Sequence, residues 1–183
     1  MDQWRESVET SIALLCEGFT ERMGYPPGEN QLSGPASLHQ LARLEATLGA
    51  RVPDQLRRFY ERIGDAELAD FWNGLWIMPP EWVAGFHGTD GVRRITGALD
   101  TEVLVFATDG GGNMFGLKAP EGRPVYSMPT AEVRDGAYET DRLHSPDDSH
   151  GFRVIAEDFH GFLRLVSTQL DLWVREDRPP TFF

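Results

Sequence analysis

Two groups of polar residues in this 183-residue chain have side chains that could do chemistry. The first lies between His144 and His150, two histidines that flank Asp147 and Asp148. Imidazole and carboxylate groups together could hold a divalent ion, but this spacing matches no helix-borne or finger-type ligand set. We therefore expect a solvated acidic loop here, and we predict no metal site and no cofactor.

The second group is a glycine run from Asp109 to Asn113, set between two apolar segments. Successive backbone N–H groups in such a run can cradle an anion. A phosphate loop, however, ends in Gly-Lys and then Ser or Thr, and a dinucleotide loop leads into a helix. Because an apolar strand-like segment follows here, the run predicts a tight hairpin turn.

No other set of residues forms a catalytic constellation. Cys16, the one cysteine, lies among apolar residues, which predicts a buried inert thiol and excludes a disulfide framework. His39, His87 and His160 lie far apart, and the serines lack the strained turn that exposes a nucleophile. We predict that the protein is not an enzyme; an enzyme with an unrecognised small-molecule or metal site stays open as an alternative.

The charge of the chain restricts its partners. It carries 29 acidic and 17 basic residues, for a net charge of −12 and a pI of about 4.8. Such a protein repels nucleic-acid phosphates and anionic membranes, so we expect neither as a partner. Residues 65–91 contain five acids and no Lys or Arg, which favours a basic protein partner, although excess acid also aids solubility.

We expect the chain to form a single domain, 1–183, and the protein to be cytoplasmic. Its length suits one domain with a terminal extension, and 40% hydrophobic residues can build a core. The N-terminus lacks the basic and apolar regions of a secretory signal, and no apolar run is long enough to cross a bilayer.

Helical periodicity predicts four main helices. The first spans about Asp2 to Arg22, and a loop rich in Pro and Gly follows it to Ala36. The second begins with a capping box at Ser37 and ends at Gly49, with Leu38, Leu41, Leu44 and Leu48 inward. The third begins at Pro53 and ends at Gly64, and the last covers Asp158 to Val174.

Short apolar runs predict the strands. A buried strand covers 75–78, a central strand covers 102–108, and two more at 114–118 and 123–128 complete an antiparallel meander. Another strand covers 152–156, and residues 129–151 are predicted to form a long acidic surface excursion.

Aromatic residues crowd the acidic stretch near residue 70. Trp72 and Trp82 lie close in sequence to Asp65, Glu67 and Asp70, a composition typical of protein-binding hot spots. The alternative is that most of these rings belong to the core. We expect Trp76 to be buried, and we leave Trp72 and Trp82 open between burial and partial exposure.

Two segments together resemble a known family, the SUKH superfamily, also called the Smi/Knr-like family. The first is Leu48 to Pro53, followed by Leu56, Phe59 and Tyr60. The second is Phe106 to Asn113, followed by Pro124 to Tyr126. The resemblance implies an α+β fold with a mixed or antiparallel sheet flanked by helices. It places the core at about 37–174, with residues 1–36 as an added N-terminal helix and loop.

The resemblance also implies a function. Bacterial members of the family are mostly immunity proteins that bind and block a toxin, often a nuclease, whereas eukaryotic members suggest a regulatory scaffold with several partners. We therefore predict a non-catalytic protein-binding module, with the scaffold role left open. The acidic and aromatic residues expected to contact a basic toxin domain are Asp65, Glu67, Asp70, Trp72, Trp82, Asp109, Asn113, Asp141, Asp147 and Asp148.

Overall fold

The fold combines helices with one large sheet. The computed structural model describes residues 1–89, 91–97, 99–129, 133–140 and 151–181. The helices in these residues are α1 (Asp2–Cys16), α2 (Phe19–Met23), α3 (Leu38–Leu48), α4 (Asp54–Tyr60), α5 (Pro80–Gly88) and α6 (Phe159–Glu176). The strands are β1 (Asn30–Leu32), β2 (Ala66–Leu68), β3 (Leu75–Ile77), β4 (Arg94–Gly97), β5 (Thr101–Asp109), β6 (Met114–Ala119), β7 (Val125–Met128), β8 (Val133–Arg134), β9 (Ala137–Thr140) and β10 (Arg153–Ala156).

Strand β5 is the centre of a mixed, mostly antiparallel sheet, as predicted. One end of β5 pairs with β3 and the other end with β4. Strand β6 pairs with β5 along most of the length of β5. From β4 the sheet continues to β9 and β8, from β3 to β2 and β1, and from β6 to β7 and β10. The pairing of β4 with β9 is parallel. The predicted meander of β5, β6 and β7 is confirmed.

Both faces of β5 are buried, which explains its continuous apolar run. Leu104 and Phe106 belong to the main core, which the helices cover. Val103 and Val105 belong to a second apolar cluster on strands β4, β7 and β9. The pairing of β5 with β6 shifts register between Val105 and Ala107.

The predicted boundaries of α3 are confirmed, whereas the predicted end of the third helix at Gly64 is wrong, since α4 ends at Tyr60. The Ser37 hydroxyl accepts from Gln40 N at 3.2 Å, and Gln40 Oε1 accepts from Ser37 N at 2.6 Å. Gly49 ends α3 with a left-handed φ of 63°. The prediction that Leu38 faces inward is wrong, since its side chain is 78% exposed in the first turn of the helix.

The N-terminal helix packs on the core, and it is shorter than predicted. Helix α1 ends at Cys16 and a separate helix α2 follows, because Gly18 takes a left-handed φ of 66° between them. Trp4 Nε1 donates to the Leu163 carbonyl at 2.7 Å, which joins α1 to α6. Across the described ranges, no helix has the length and apolar character needed to cross a bilayer.

Several strands lie where the sequence predicted loops. Strand β1 lies within the predicted loop before Ala36, and β8 and β9 lie within the predicted excursion at 129–151. The loop prediction is therefore wrong for 133–134 and 137–140, where Tyr138 is buried with 4% exposure. These strands are short, and β1 and β9 pair with segments distant in sequence, so their apolar patterns are weak.

Candidate functional site

Two of the predicted acids lie on or beside strand β2. Asp65 is half-buried, and its backbone N–H donates to the Ser33 hydroxyl at 2.8 Å. Glu67 Oε1 accepts from Trp76 Nε1 at 3.0 Å, directly across from it on β3. This pair lies on the face of β2 and β3 opposite the buried Leu68 and Leu75. Trp76 is consequently half-buried rather than buried, which corrects the prediction for that ring.

Asp70 anchors the segment that leads into β1. Its Oδ2 atom accepts from Gly28 N at 2.7 Å and from Asn30 Nδ2 at 2.6 Å. Asn30 Oδ1 in turn accepts from Asp70 N at 3.1 Å. Charge-assisted hydrogen bonds of this kind fix a loop firmly. The carboxylate therefore holds the N-terminal segment against the connection between β2 and β3.

Trp72 follows Asp70 and is exposed in an unusual backbone conformation. Its side chain is 43% exposed, and its φ is 58°. A left-handed φ is rare for a bulky residue and costs on the order of 1–3 kcal/mol. Such strained residues cluster at functional sites, where the surrounding structure holds them in place. The structure thus resolves the open choice for Trp72 in favour of partial exposure.

Trp72 lies at a groove of about 590 Å³. Trp173, near the end of α6, meets its ring edge to face, and α2 and the residues after it supply Met23 and Tyr25. Met23 is 46% exposed and Tyr25 is 52% exposed. We call this site the aromatic groove; its lining residues are Leu15, Phe19, Arg22, Met23, Tyr25, Ala69, Asp70, Trp72, Trp173, Val174, Arg175, Glu176 and Asp177. It thus brings together three of the five large hydrophobic side chains that are exposed in the described residues.

The charged residues of the aromatic groove leave it slightly acidic. Asp70, Glu176 and Asp177 line it, against Arg22 and Arg175. Arg22 Nη2 donates to the Leu15 carbonyl at 2.9 Å, and Arg175 pairs with Asp171 on the same helix. Both cations have internal partners, as do Asp70, through Gly28 and Asn30, and Glu176, through Arg178. The lining carries a formal net charge of −1, which suits a basic ligand.

Trp82 lies apart from the aromatic groove. It is half-buried on α5, where it stacks on Phe86 with ring centroids 4.7 Å apart and an interplanar angle of 10°. The same ring packs against both apolar clusters. Its position thus joins the two cores, and it is not among the residues that line the groove.

Asp109 and Asn113 close the hairpin between β5 and β6. Asp109 is only 6% exposed, and its Oδ1 atom accepts from Gly111 N at 2.9 Å and Asn113 N at 2.8 Å. Asn113 Nδ2 donates to Asp109 Oδ2 at 2.6 Å. The predicted tight turn is confirmed. Both oxygens of the Asp109 carboxylate accept hydrogen bonds from residues of the turn itself. Asp141, Asp147 and Asp148 lie outside the described residues, as do His144 and His150.

Metal-binding residues and the cysteine are the two chemical sites to check in the described residues. In residues 1–89, 91–97, 99–129, 133–140 and 151–181, no group of three or more His, Cys, Asp and Glu side chains could hold a metal ion. Cys16 is half-buried rather than buried. Burial first, and then the charge of Asp70, raise the pKa of its thiol. A raised pKa keeps the thiol protonated and therefore poorly nucleophilic.

A comparison with known protein families identifies the family of this chain. The model of the SMI1 / KNR4 family (SUKH-1) matches residues 35–165, which is most of the chain. The chain belongs to the SMI1/KNR4 family. Family membership suggests that the protein acts through protein–protein interaction in general. A search of curated proteins found no match.

The aromatic groove is only partly built from the segment that the SMI1/KNR4 family model matches. Asp70 and Trp72 lie inside the matched residues 35–165, whereas Met23, Tyr25 and Trp173 lie outside them. Trp72 is predictable from the sequence, whereas Met23, Tyr25 and Trp173 are not. The groove joins segments far apart in the chain. The one local indication of it in the sequence is Tyr25, an aromatic residue next to Pro26 in a loop.

Proposed function

We propose that this SMI1/KNR4 protein is a non-catalytic immunity protein that binds and neutralises a basic bacterial toxin domain in the cytoplasm. We further propose that the aromatic groove contacts the toxin. The observation that carries the proposal is the exposure of Trp72, Tyr25 and Met23 around one groove of about 590 Å³. Exposed aromatic side chains clustered in a concave site are typical of binding hot spots.

Charge supports a basic partner. The chain has a net charge of −12, and nuclease toxins present positive clefts because they bind phosphate. Complementary charge speeds the encounter of two proteins, and desolvated aromatic contacts slow their separation. Arg or Lys side chains from the partner can stack on the faces of Trp72 and Tyr25 beside Asp70.

The rigidity of the site supports binding without a large rearrangement. Asp70 fixes the loop before β1 through hydrogen bonds to Gly28 and Asn30. Trp173 contacts the ring of Trp72 from the side, with ring centroids 5.5 Å apart. A side chain already held in one conformation loses less entropy on binding, which raises affinity.

The proposal predicts that a toxin domain is encoded beside the gene for this chain, and co-expression of the two tests it. A bacterial host that produces the toxin should grow only when the native chain is also produced. The double variant Trp72→Ala, Tyr25→Ala should fail to protect, although it folds with an unchanged circular dichroism spectrum. Leu38→Ala is the matched control, because Leu38 is 78% exposed but does not line the groove.

The alternatives give different results. A regulatory scaffold would give no protection with the native chain and would associate with several cellular proteins. Full protection by the Trp72, Tyr25 double variant would show that a different surface binds the toxin. Toxin covalently altered after incubation with the native chain would indicate an enzyme.

A further inference from the structure

A second cavity, of about 220 Å³, lies away from the aromatic groove. It is formed by the link between α3 and α4, the end of α5, the start of β5 and the end of β6. Arg51, His87, Arg93 and Glu102 contribute polar side chains, and Leu48 and Leu104 are among the apolar ones. Its volume is below the range typical of drug-sized ligands, so it suits a small molecule or ion.

No described carboxylate forms an ion pair with either arginine of this cavity. In the described part of the chain, neither Arg51 nor Arg93 has an ion pair within 4.0 Å. Arg94, the next residue along, pairs with Asp100. Arg51 and Arg93 are both exposed, so a ligand in solution can reach them.

Arg93 is held in place by the chain on both sides. Its backbone N–H donates to the Gly136 carbonyl at 2.8 Å, and its carbonyl accepts from Val103 N at 2.9 Å. The guanidinium packs closely on Gly136, where an added Cβ would lie 2.7 Å from Arg93 Nε. Glycine at this position therefore leaves room for the guanidinium to lie beside the backbone.

His87 carries a buried polar atom without a partner. Its Nδ1 atom is buried and makes no hydrogen bond to any described residue. Buried polar atoms are nearly always paired, so each exception calls for an explanation. Burial first, and then the positive charge of Arg93, lower the pKa of His87, whereas Glu102 opposes them. The imidazole is therefore neutral at pH 7 and lies within electrostatic reach of both side chains.

We propose that this cavity binds a small oxyanion, a phosphate-like or carboxylate group, between Arg51, Arg93 and His87. With neutral His87 the lining carries two cations and one anion, in a chain whose net charge is −12. Two guanidinium groups supply donors in the planar geometry that oxyanions prefer, and protonated His87 adds another. This site is separate from the aromatic groove, so it does not depend on the immunity function.

Binding should be coupled to protonation of His87. A bound anion offsets the burial of the imidazolium and the repulsion from Arg93, and so raises the pKa of His87. By linkage, the anion then binds more tightly at about pH 5.5 than at about pH 8. Sulfate is the suitable probe because its charge does not change over this range.

The test is a titration of the full chain with sulfate at constant ionic strength, in which two-dimensional NMR spectra of the backbone amides are recorded at each sulfate concentration. Saturable shifts at residues 87–89 and 93 are expected, with weaker binding at higher pH. Arg93→Gln should weaken binding about tenfold, as expected for one lost charge-assisted contact. Glu102→Gln should strengthen it, since it removes a repulsive charge. Arg94→Gln, the matched control, should leave it unchanged.

Parallel titrations with phosphate and acetate distinguish the two classes of oxyanion. Saturation by sulfate and phosphate alone indicates a phosphate-like ligand, and saturation by acetate alone indicates a carboxylate. The inference is overturned if all three ions give only linear shifts, or if Arg93→Gln and Arg94→Gln reduce binding equally. Should Arg93→Gln unfold the chain, Arg51→Gln takes its place with the same expected loss.

Discussion

Trp72 and Trp173 meet edge to face at the aromatic groove, with ring centroids 5.5 Å apart and ring planes at 87°. One ring belongs to the connection between β2 and β3, and the other to the last turns of α6. The contact supports a residue whose backbone φ is 58°. It therefore links a strained, exposed aromatic residue to the longest helix in the described residues.

A double-mutant cycle should detect this contact. Edge-to-face aromatic pairs contribute about 0.5–1.5 kcal/mol beyond the area that they bury. We expect Trp72→Ala and Trp173→Ala to couple by that amount when the free energies of unfolding are measured in urea. Trp72→Ala and Trp82→Ala are the control pair, since Trp82 packs elsewhere, and their effects should add. Additive effects in both pairs would mean that the Trp72–Trp173 contact contributes nothing to stability.

The glycines of the hairpin turn have different roles, and substitution should separate them. A Cβ added to Gly110 would lie 2.0 Å from the Asn73 carbonyl oxygen, whereas at Gly111 the nearest atom is 3.4 Å away. Gly110→Ala should therefore destabilise the fold by more than about 1 kcal/mol, and Gly111→Ala should change it by less than about 0.5 kcal/mol. Urea unfolding of the two variants measures the difference. Equal losses would show that Gly110 is not needed for close approach.

The stability that the Asp158 cap gives to the start of α6 should depend on pH. Its side chain accepts from Gln55 Nε2 at 3.0 Å and Gly161 N at 2.7 Å, and these bonds lower the pKa of Asp158. A lowered pKa means stability that is present above the unfolded pKa and lost as pH falls through the folded one. Asp158→Ala should cost about 1 kcal/mol at pH 7. The difference from the native chain should shrink below about pH 4.

Urea unfolding at pH 7 and below about pH 4 tests this dependence. Asp171→Asn is the control, because Asp171 forms an exposed ion pair with Arg175 and caps no helix. Its effect at pH 7 should stay below about 0.5 kcal/mol. A loss for Asp158→Ala that is the same at low and neutral pH would assign its effect to something other than the carboxylate charge.

Local chemistry made much of the fold predictable from sequence. The capping box of Ser37 and Gln40, the left-handed Gly49 and the turn at Asp109 each depend on residues within a few positions of one another. The long apolar run of β5 likewise indicated a strand buried on both faces. These features need no knowledge of distant partners, and the structure confirms them.

Elements that depend on distant contacts were not predictable. Strand β9 pairs in parallel with β4, and β1 pairs with β2, yet none of these strands exceeds four residues. The aromatic groove has the same origin, because Tyr25, Trp72 and Trp173 come from three separate segments. The aromatic and acidic residues around Trp72 make it predictable from sequence, but only the tertiary structure brings the neighbouring rings to it.

The central claim is that the aromatic groove binds a basic toxin domain. Its most direct test is the affinity of the purified chain for the toxin domain that the proposal expects beside its gene, measured by calorimetry at low and high salt. We predict that Trp72→Ala weakens binding about 30-fold or more while Leu38→Ala changes nothing, and that added salt weakens binding of the native chain. Equal affinities for the native chain and Trp72→Ala, with no dependence on salt, would contradict the claim.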